Sequence, residues 1–329
     1  MRSLCLLLLL ACGRDPSTKN VGPATVDTAD APVGGEDGDT GPGSEGDGRI
    51  EFPPPERGYQ LHMGPFEIPA FTEVYQCKII QTPNTEPADI IGLSHLASES
   101  VHHFNAWALL DDPGREMEGP CSDLWAETNM ALANPLYASQ TSSFEGWFPD
   151  GVAGQLPAEQ WVLMEYHAIN PTAQDQITEG YINAMTAAPD TIEHYANGLY
   201  GSNTDLEIPP GQTASFTKKC LVDVQMNVFV MGSHFHQLGT FFEVYRLDAA
   251  GQRVELVYEN DDWESPELEF WTETPLVLLP GEGFEYTCHF ENTTDQTVGF
   301  GPSASDEMCT LAALYYPDAG FKLCMDPAR

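Results

Sequence analysis

From about Ile50 onward, apolar and aromatic residues recur in short runs separated by clusters of Pro, Gly, Asn and Asp. Runs of this length and spacing predict β-strands. The first series comprises FTEVYQCKII (71–80), DIIGLSHL (89–96), SVHHFNAWALL (100–110), QWVLMEYHAI (160–169) and GYINAMTAA (180–188). The second comprises CLVDVQMNVFVM (220–231), SHFHQLGTFFEVYRL (233–247), RVELVYEN (253–260), PLVLLPGEGFEYTCHF (275–290) and CTLAALYY (309–316). Only DLWAETNMALAN (123–134) has helical character. Between the two series, NGLYGSNTDLEIPPGQT (197–213) is rich in turn residues and marks a boundary. The pattern predicts an all-β protein built as two antiparallel sandwiches in tandem, with no internal sequence repeat.

The segment before Ile50 follows different rules. From Gly13 to Gly48 the chain is Gly, Pro, Ser, Thr, Asp and Glu with hardly an apolar residue larger than Val. Such a stretch cannot bury enough surface to fold and reads as an acidic tether. Ahead of it, Met1-Arg2 and the apolar run Leu4 to Leu10 have the form of an export signal, too short to span a bilayer. Leu9-Leu10-Ala11-Cys12 resembles a bacterial lipobox, which makes Cys12 the expected lipidation site. Location in the bacterial cell envelope follows, in the periplasm or on the outer membrane or cell surface, with membrane contact only through the anchor.

Charge narrows the partners. Thirteen basic residues face 50 acidic ones in the 329-residue chain, a formal charge of −37. A surface so acidic repels nucleic acid and anionic membrane, so nucleic-acid partners are excluded. Beyond Cys5 and Cys12 there are six cysteines, Cys77, Cys121, Cys220, Cys288, Cys309 and Cys324. An even number in an exported chain implies three disulfides, but spacing alone leaves 15 pairings open.

The candidate chemistry lies in histidines and one methionine. His234 and His236, in SHFHQLG, are two residues apart in a strand-like run, so alternation puts both imidazoles on one face, where they can share a metal ion. His102 and His103 are adjacent, so on a regular strand they diverge, and joint ligation needs a bulge or a strand end. His167, in MEYHAINP, ends another strand-like run, whereas His62, His95, His194 and His289 have no partner at ligand spacing. In SDEMCTLAALYYP, alternation would put Met308, Thr310, Ala312, Leu314 and Tyr316 on one face and Glu307, Cys309, Leu311, Ala313 and Tyr315 on the other. Two imidazoles with a thioether suit copper cycling through Cu(I), and a cysteine thiolate in the set would instead indicate an electron carrier of blue-copper type.

Taken in order, VHHF, EYHAINP, SHFHQLG and SDEMCTLAALYYP resemble the copper type II, ascorbate-dependent monooxygenases, a family that includes dopamine β-monooxygenase and peptidylglycine α-hydroxylating monooxygenase. The resemblance spans roughly Glu51 to Cys324. It implies two jelly-roll β-sandwich domains, over 51–205 and 206–329 after a signal (1–12) and tether (13–50), each with a copper site facing an interdomain cleft. His102, His103 and His167 match the ligands of the electron-transfer copper, and His234, His236 and Met308 those of the copper where O2 is activated. The implied disulfides are Cys77–Cys121, Cys220–Cys324 and Cys288–Cys309. The implied reaction hydroxylates a C–H bond of a small organic substrate, using O2, two coppers per chain and ascorbate or another one-electron reductant.

Several positions depart from the peptide-hydroxylating branch. Gly232 stands where that branch has an Arg two residues before His-x-His, and Thr310 where it has an Asn; Ala312 replaces a Tyr found in both main branches. EYHAINP is closer to the dopamine-type branch, with Glu165 two residues before His167 and Asn170-Pro171 after it. Two other expectations compete with the enzyme: a non-catalytic copper-binding lipoprotein for sensing or storage, and a metal-free β-sandwich binding module. The sequence leaves the oligomeric state undefined.

Overall fold

The computed structural model describes residues 49–128, 133–188, 190–301 and 305–324. The expected signal, Cys12 and nearly all of the tether lie outside the described residues. The strands β1 (Gly58–Ile68), β2 (Glu73–Gln81), β3 (Ala88–Ala97), β4 (Val101–Ala108) and β5 (Met117–Pro120) precede the short helix α1 (Cys121–Glu127). They are followed by β6 (Asn134–Ser139), β7 (Ser143–Trp147), β8 (Val152–Leu156), β9 (Trp161–Ile169), β10 (Gln176–Thr186) and β11 (His194–Tyr195). The second half opens with β12 (Asn197–Ser202), β13 (Glu207–Ile208), β14 (Thr213–Leu221), β15 (Met226–His234), β16 (Gly239–Leu247) and β17 (Arg253–Asn260). It closes with β18 (Glu269–Phe270), β19 (Leu276–Leu278), β20 (Gly283–Glu291), β21 (Val298–Gly299), β22 (Thr310–Tyr316) and β23 (Lys322–Cys324).

Each half is a sandwich, as the strand pattern predicts. In the first, the sheet β1-β10-β3-β8-β11, with β7 on β3, faces β5-β2-β9-β4-β6. In the second, β18-β15-β22-β12-β23, with β19 on β15, faces β14-β20-β16-β17, and β13-β21 forms a separate pair. Strand pairing between the halves changes over at Ala196: β11 pairs with β8, and β12 with β22 and β23. Among the described pairs all are antiparallel except β11–β8 and β12–β23.

Inward-facing residues fill both sandwiches. Leu61, Met63, Ile182 and Ala184 of one sheet meet Phe104, Met164, Tyr166 and Ala168 of the other. Burying each large apolar side chain stabilises the fold by about 1.5–3 kcal/mol relative to exposure. Gly180 permits this contact, because a Cβ there would stand 2.7 Å from the Tyr166 ring and 2.9 Å from Phe104. In the second half Phe242, Val244, Phe284 and Tyr286 pack on Met226, Val228, Met231, Leu311 and Tyr315. The two cores are not independent: Phe229, Val230 and Leu314 join the first-half cluster, and the Phe148 and Phe229 rings lie 5.0 Å apart.

The differences from the sequence reading are local. β1 and the β6–β8 region are strands that Gly and Pro conceal; β1 contains Gly64-Pro65, and its register with β10 shifts between Met63 and Phe66. CLVDVQMNVFVM holds the end of β14 and the start of β15 around a turn, not one strand. The helix is seven residues long, and residues 129–132 of the predicted helical run lie outside the described residues.

Candidate metal centre

The first centre is built on β4 and β9, adjacent in one sheet. Their register pairs Val101 with Ala168 and His103 with His167, so His102 is the extra residue of a bulge. That bulge turns the two adjacent histidines toward each other: their Nδ1 atoms are 3.3 Å apart. The candidate ligand atoms of His102, His103 and His167 all lie within 4.8 Å of one another.

The outer nitrogens of two of these rings meet carboxylates. His167 Nε2 lies 2.8 Å from Glu73 Oε2, and His103 Nε2 lies 3.3 Å from Glu165 Oε1. A ring that donates its Nε2–H to a carboxylate presents the Nδ1 lone pair on its other side. Glu165 is buried and also accepts hydrogen bonds from Tyr75 Oη (2.7 Å) and Asn105 Nδ2 (3.1 Å). Burial alone would raise its pKa, but the neighbouring His103 and the hydrogen bonds from Tyr75 and Asn105 hold it below the ordinary value. Burial, then His103, depresses His102, against the opposing pull of Glu264 from the second half and of Glu73. Burial and the neighbouring imidazoles press His167 down to about 4. Both rings are therefore neutral at pH 7, the form that binds metal.

Glu73, Tyr75 and Asn105 were not foreseen as supports. Their signal was available only through pairing: Tyr75 is opposite His167 on β2, and Asn105 is opposite Glu165 on β4.

The second group has a different construction. His234 is the last residue of β15 and pairs with Thr310, whereas His236 lies beyond the strand. Strand alternation therefore does not orient this pair, contrary to the sequence reading. His236 Nδ1 donates to the backbone oxygen of Asp306 at 2.8 Å, which fixes the orientation of the ring. The Glu307 carboxylate, fully buried, accepts the backbone N–H of His236 at 2.9 Å and of Leu238 at 2.7 Å. Gly239 closes the turn with its N–H on His236 O at 2.9 Å, and a Cβ there would come within 2.0 Å of the Phe235 ring.

The imidazoles of His234 and His236 are both buried, with ring centroids 5.0 Å apart. Burial, then the neighbouring His236, lowers His234 to about 3. Burial drives Glu307 up to about 7, even though the N–H groups of Leu238, His236 and Met308 favour its charged form.

Met308, half-buried, precedes β22 rather than lying in it, so its direction too is set by local anchoring, not by alternation. On one side Glu307 is tied to the His236 turn. On the other, buried Cys309 is joined to Cys288, and its carbonyl accepts the Asn203 N–H at 2.8 Å. A disulfide sulfur is not a thiolate ligand, which removes the blue-copper alternative. The other disulfides are Cys77–Cys121 and Cys220–Cys324, so all three pairings are those the resemblance implied.

The remaining histidines are engaged elsewhere: His62 with Glu179, His95 with Tyr137 and Thr141, His194 stacked on Tyr316 and His289 with Ser215. A cavity of about 330 Å³ opens between the halves. It is lined by Ser139, Thr141, Ser143 and Phe144 from the first half and by Ser233, Ser265 and Phe270 from the second.

Fold and site together define a class: an all-β protein of two sandwiches with clustered imidazoles, a donor chemistry that fits copper. Residues 197–329 match the family described as copper type II ascorbate-dependent monooxygenase, C-terminal domain. Similar proteins include peptidyl-glycine alpha-amidating monooxygenase A of Xenopus laevis, 23% identical over 266 residues, covering 78% of this chain and 28% of that protein. Peptidylglycine alpha-amidating monooxygenase of Rattus norvegicus is 26% identical over 276 residues, covering 79% of this chain and 27% of that protein. The chain thus spans little more than a quarter of the length of these relatives. The match to the copper type II ascorbate-dependent monooxygenase family is carried by the second half of the chain.

Proposed function

We propose that the protein is a copper-dependent monooxygenase that hydroxylates a C–H bond of a small organic substrate, with O2 and an ascorbate-like reductant. The observation that carries this reading is the His102–His103–His167 cluster, three imidazoles with ligand atoms within 4.8 Å, in a chain whose second half matches this family. Bound copper would supply one-electron chemistry: storage at this cluster, and O2 activation at His234, His236 and Met308.

The residues divide the work between them. Glu73 and Glu165 orient His167 and His103 so that their Nδ1 atoms face the centre. Glu307 and Asp306 fix the His236 turn beside Met308. His234 and His236 are both buried, which limits water at the centre. We place the substrate at the junction between the halves, where two phenylalanines and five hydroxyl side chains (Ser139, Thr141, Ser143, Ser233 and Ser265) line the cavity. Its mixed lining suits a small, partly apolar molecule. Gly232 offers no cation for a substrate carboxylate, so a C-terminal glycine peptide is a poor candidate. The reading extends to export and anchoring through Cys12.

The test has two parts. Copper analysis is expected to give two coppers per chain, with His102→Ala and Met308→Ala each altering a different copper's electron paramagnetic resonance signal. Ascorbate-dependent O2 uptake is then expected with some member of a small-molecule panel, with one added oxygen found in the product by mass spectrometry. Fewer than two coppers overturns the dicopper reading; full occupancy without turnover across the panel overturns the enzymatic one.

A further inference from the structure

The two sandwiches repeat one another at a level the sequence hides. Residues 68–72 lead from β1 into β2, and residues 208–212 lead from β13 into β14. Each segment opens with Ile-Pro and places its fourth residue in the left-handed region, Phe71 at φ 57° and Gly211 at φ 67°. Each closes with an N–H bonded back to the proline carbonyl, at 3.2 Å for Thr72 and 3.3 Å for Gln212. A buried asparagine ties each segment. Asn170 Nδ2 donates to Ile68 O at 3.0 Å and Gln174 O at 2.7 Å; Asn292 Nδ2 donates to Ile208 O and Gln296 O, both at 2.8 Å. In both, a threonine hydroxyl donates to the asparagine oxygen at 2.7 Å. The pattern Asn-x-Thr-x-Gln at 170–174 and 292–296 is the trace this leaves in the sequence.

Strand register extends the match to the metal centre. The asparagines follow β9 and β20, each the middle strand of a trio, β2-β9-β4 in the first half and β14-β20-β16 in the second. Three residues before Asn170 is His167, and three before Asn292 is His289. Opposite these lie Tyr75 and Ser215 on one side, and His103 and Phe241 on the other. The bulge recurs as well. Pairing skips from Val101 to His103 in β4 and from Gly239 to Phe241 in β16, so Thr240 occupies the place of His102. Thr240 Oγ1 donates to the His289 carbonyl at 3.2 Å. The Phe241 and His289 rings are 5.9 Å apart, against 5.0 Å for His103 and His167. His289 Nε2, like His167 Nε2, has a carboxylate beside it, Glu243 at 3.6 Å, while Ser215 Oγ lies 2.8 Å from Nδ1.

We propose that the second sandwich carries a dormant counterpart of the three-histidine centre: a copper site whose backbone frame and one imidazole, His289, are in place, and whose other two ligand positions hold Thr240 and Phe241. This rests on the reading of His102, His103 and His167 as copper ligands. The frame aims three side chains at one point, and their chemistry decides whether a metal binds there. The second half's own candidate ligands, His234, His236 and Met308, are grouped around β15 and β22, in its other sheet.

The experiment restores the missing imidazoles in the full chain, with copper(II) as the probe. Thr240 is exposed and Phe241 half-buried, so Thr240→His/Phe241→His leaves the core intact. The double variant is expected to hold three coppers per chain where the parent holds two, and the added electron paramagnetic resonance signal should overlay the one that His102→Ala removes. Phe241→His alone supplies two facing imidazoles without the bulge ligand. It should bind the third copper at least about tenfold more weakly, since loss of a ligand costs no less than loss of the group that orients it.

A folded double variant that still holds two coppers overturns the proposal. So does a third copper bound as tightly by Phe241→His alone, since the bulge residue would then not face the centre. Should the double variant fail to fold, Phe241→His decides: it takes up a weakly held third copper, or the proposal falls. If His102→Ala removes no copper from the parent, the reading of the first centre fails, a result separable from any gain of copper in the second sandwich.

Discussion

Truncating Glu307 to Ala tests how the second centre is held. The carboxylate accepts backbone N–H groups from His236 at 2.9 Å and Leu238 at 2.7 Å, and the Met308 N–H also favours its charged form. Residue 307 is thus joined to a turn 69–71 residues earlier in the chain. Each buried N–H left without an acceptor costs about 1–3 kcal/mol. Three such groups would lose about 3–9 kcal/mol, and relief from burying a carboxylate returns part of this. We expect Glu307→Ala to lower the unfolding free energy of the copper-free protein by about 2–4 kcal/mol. Glu307→Gln, whose amide oxygen can still accept on one side, should lose about half as much. The measurements are denaturant unfolding and copper per chain. With the His236 turn untied from Met308, the copper count should fall from two to one, and the copper that remains should be the one His102→Ala disturbs. If Glu307→Ala unfolds within about 0.5 kcal/mol of the parent and still holds two coppers, the carboxylate is not the tie described.

Three further outcomes are expected. Burial lowers His95 to about 4, with the Thr141 carbonyl opposing, so its neutral form stabilises the fold above pH 6.5 and that contribution is lost as pH falls through 4. The stability difference between the parent and His95→Gln should therefore change by about 3 kcal/mol between pH 7 and pH 4, and parallel pH curves would exclude the effect. Replacing Cys288 and Cys309 by Ala opens a bond with a sequence separation of 21 and should cost about 3 kcal/mol by loop closure; unchanged thermal unfolding would contradict this. Glu165→Ala removes the acceptor beside His103 Nε2 and should weaken copper at the three-histidine cluster about 10–100-fold in a chelator competition, with no loss there counting against the orienting role.

What the sequence revealed depended on the range of the interaction. Strand periodicity is local, and most of the sandwich strands were legible from it. β1 and β6–β8 were not, since their Gly and Pro residues resemble loop. The adjacent histidines pointed to a bulge as a necessity, and the bulge is found at His102. That His167 would lie opposite His103 was not derivable from spacing, because strand order is a long-range property.

His234, His236 and Met308 were singled out with alternation as the argument, yet two of the three lie outside strands. They are positioned by Glu307 and Asp306, whose contacts cross about 70 residues and leave no periodic trace.

The disulfide connectivity has a consequence for how the chain matures. Cys77 and Cys121 are neighbours in order of synthesis, but the Cys220–Cys324 bond encloses Cys288–Cys309. As the chain emerges, the first partner available to Cys220 is Cys288, and that bond is non-native. An oxidant acting on cysteines in order of appearance would therefore trap the second sandwich with Cys309 and Cys324 left over. Reaching the native bonds requires thiols kept reduced until Cys324 has emerged, or exchange through mixed disulfides afterwards. Efficient production of this protein is thus expected to depend on a disulfide isomerase as well as an oxidant, and heterologous expression should be planned accordingly.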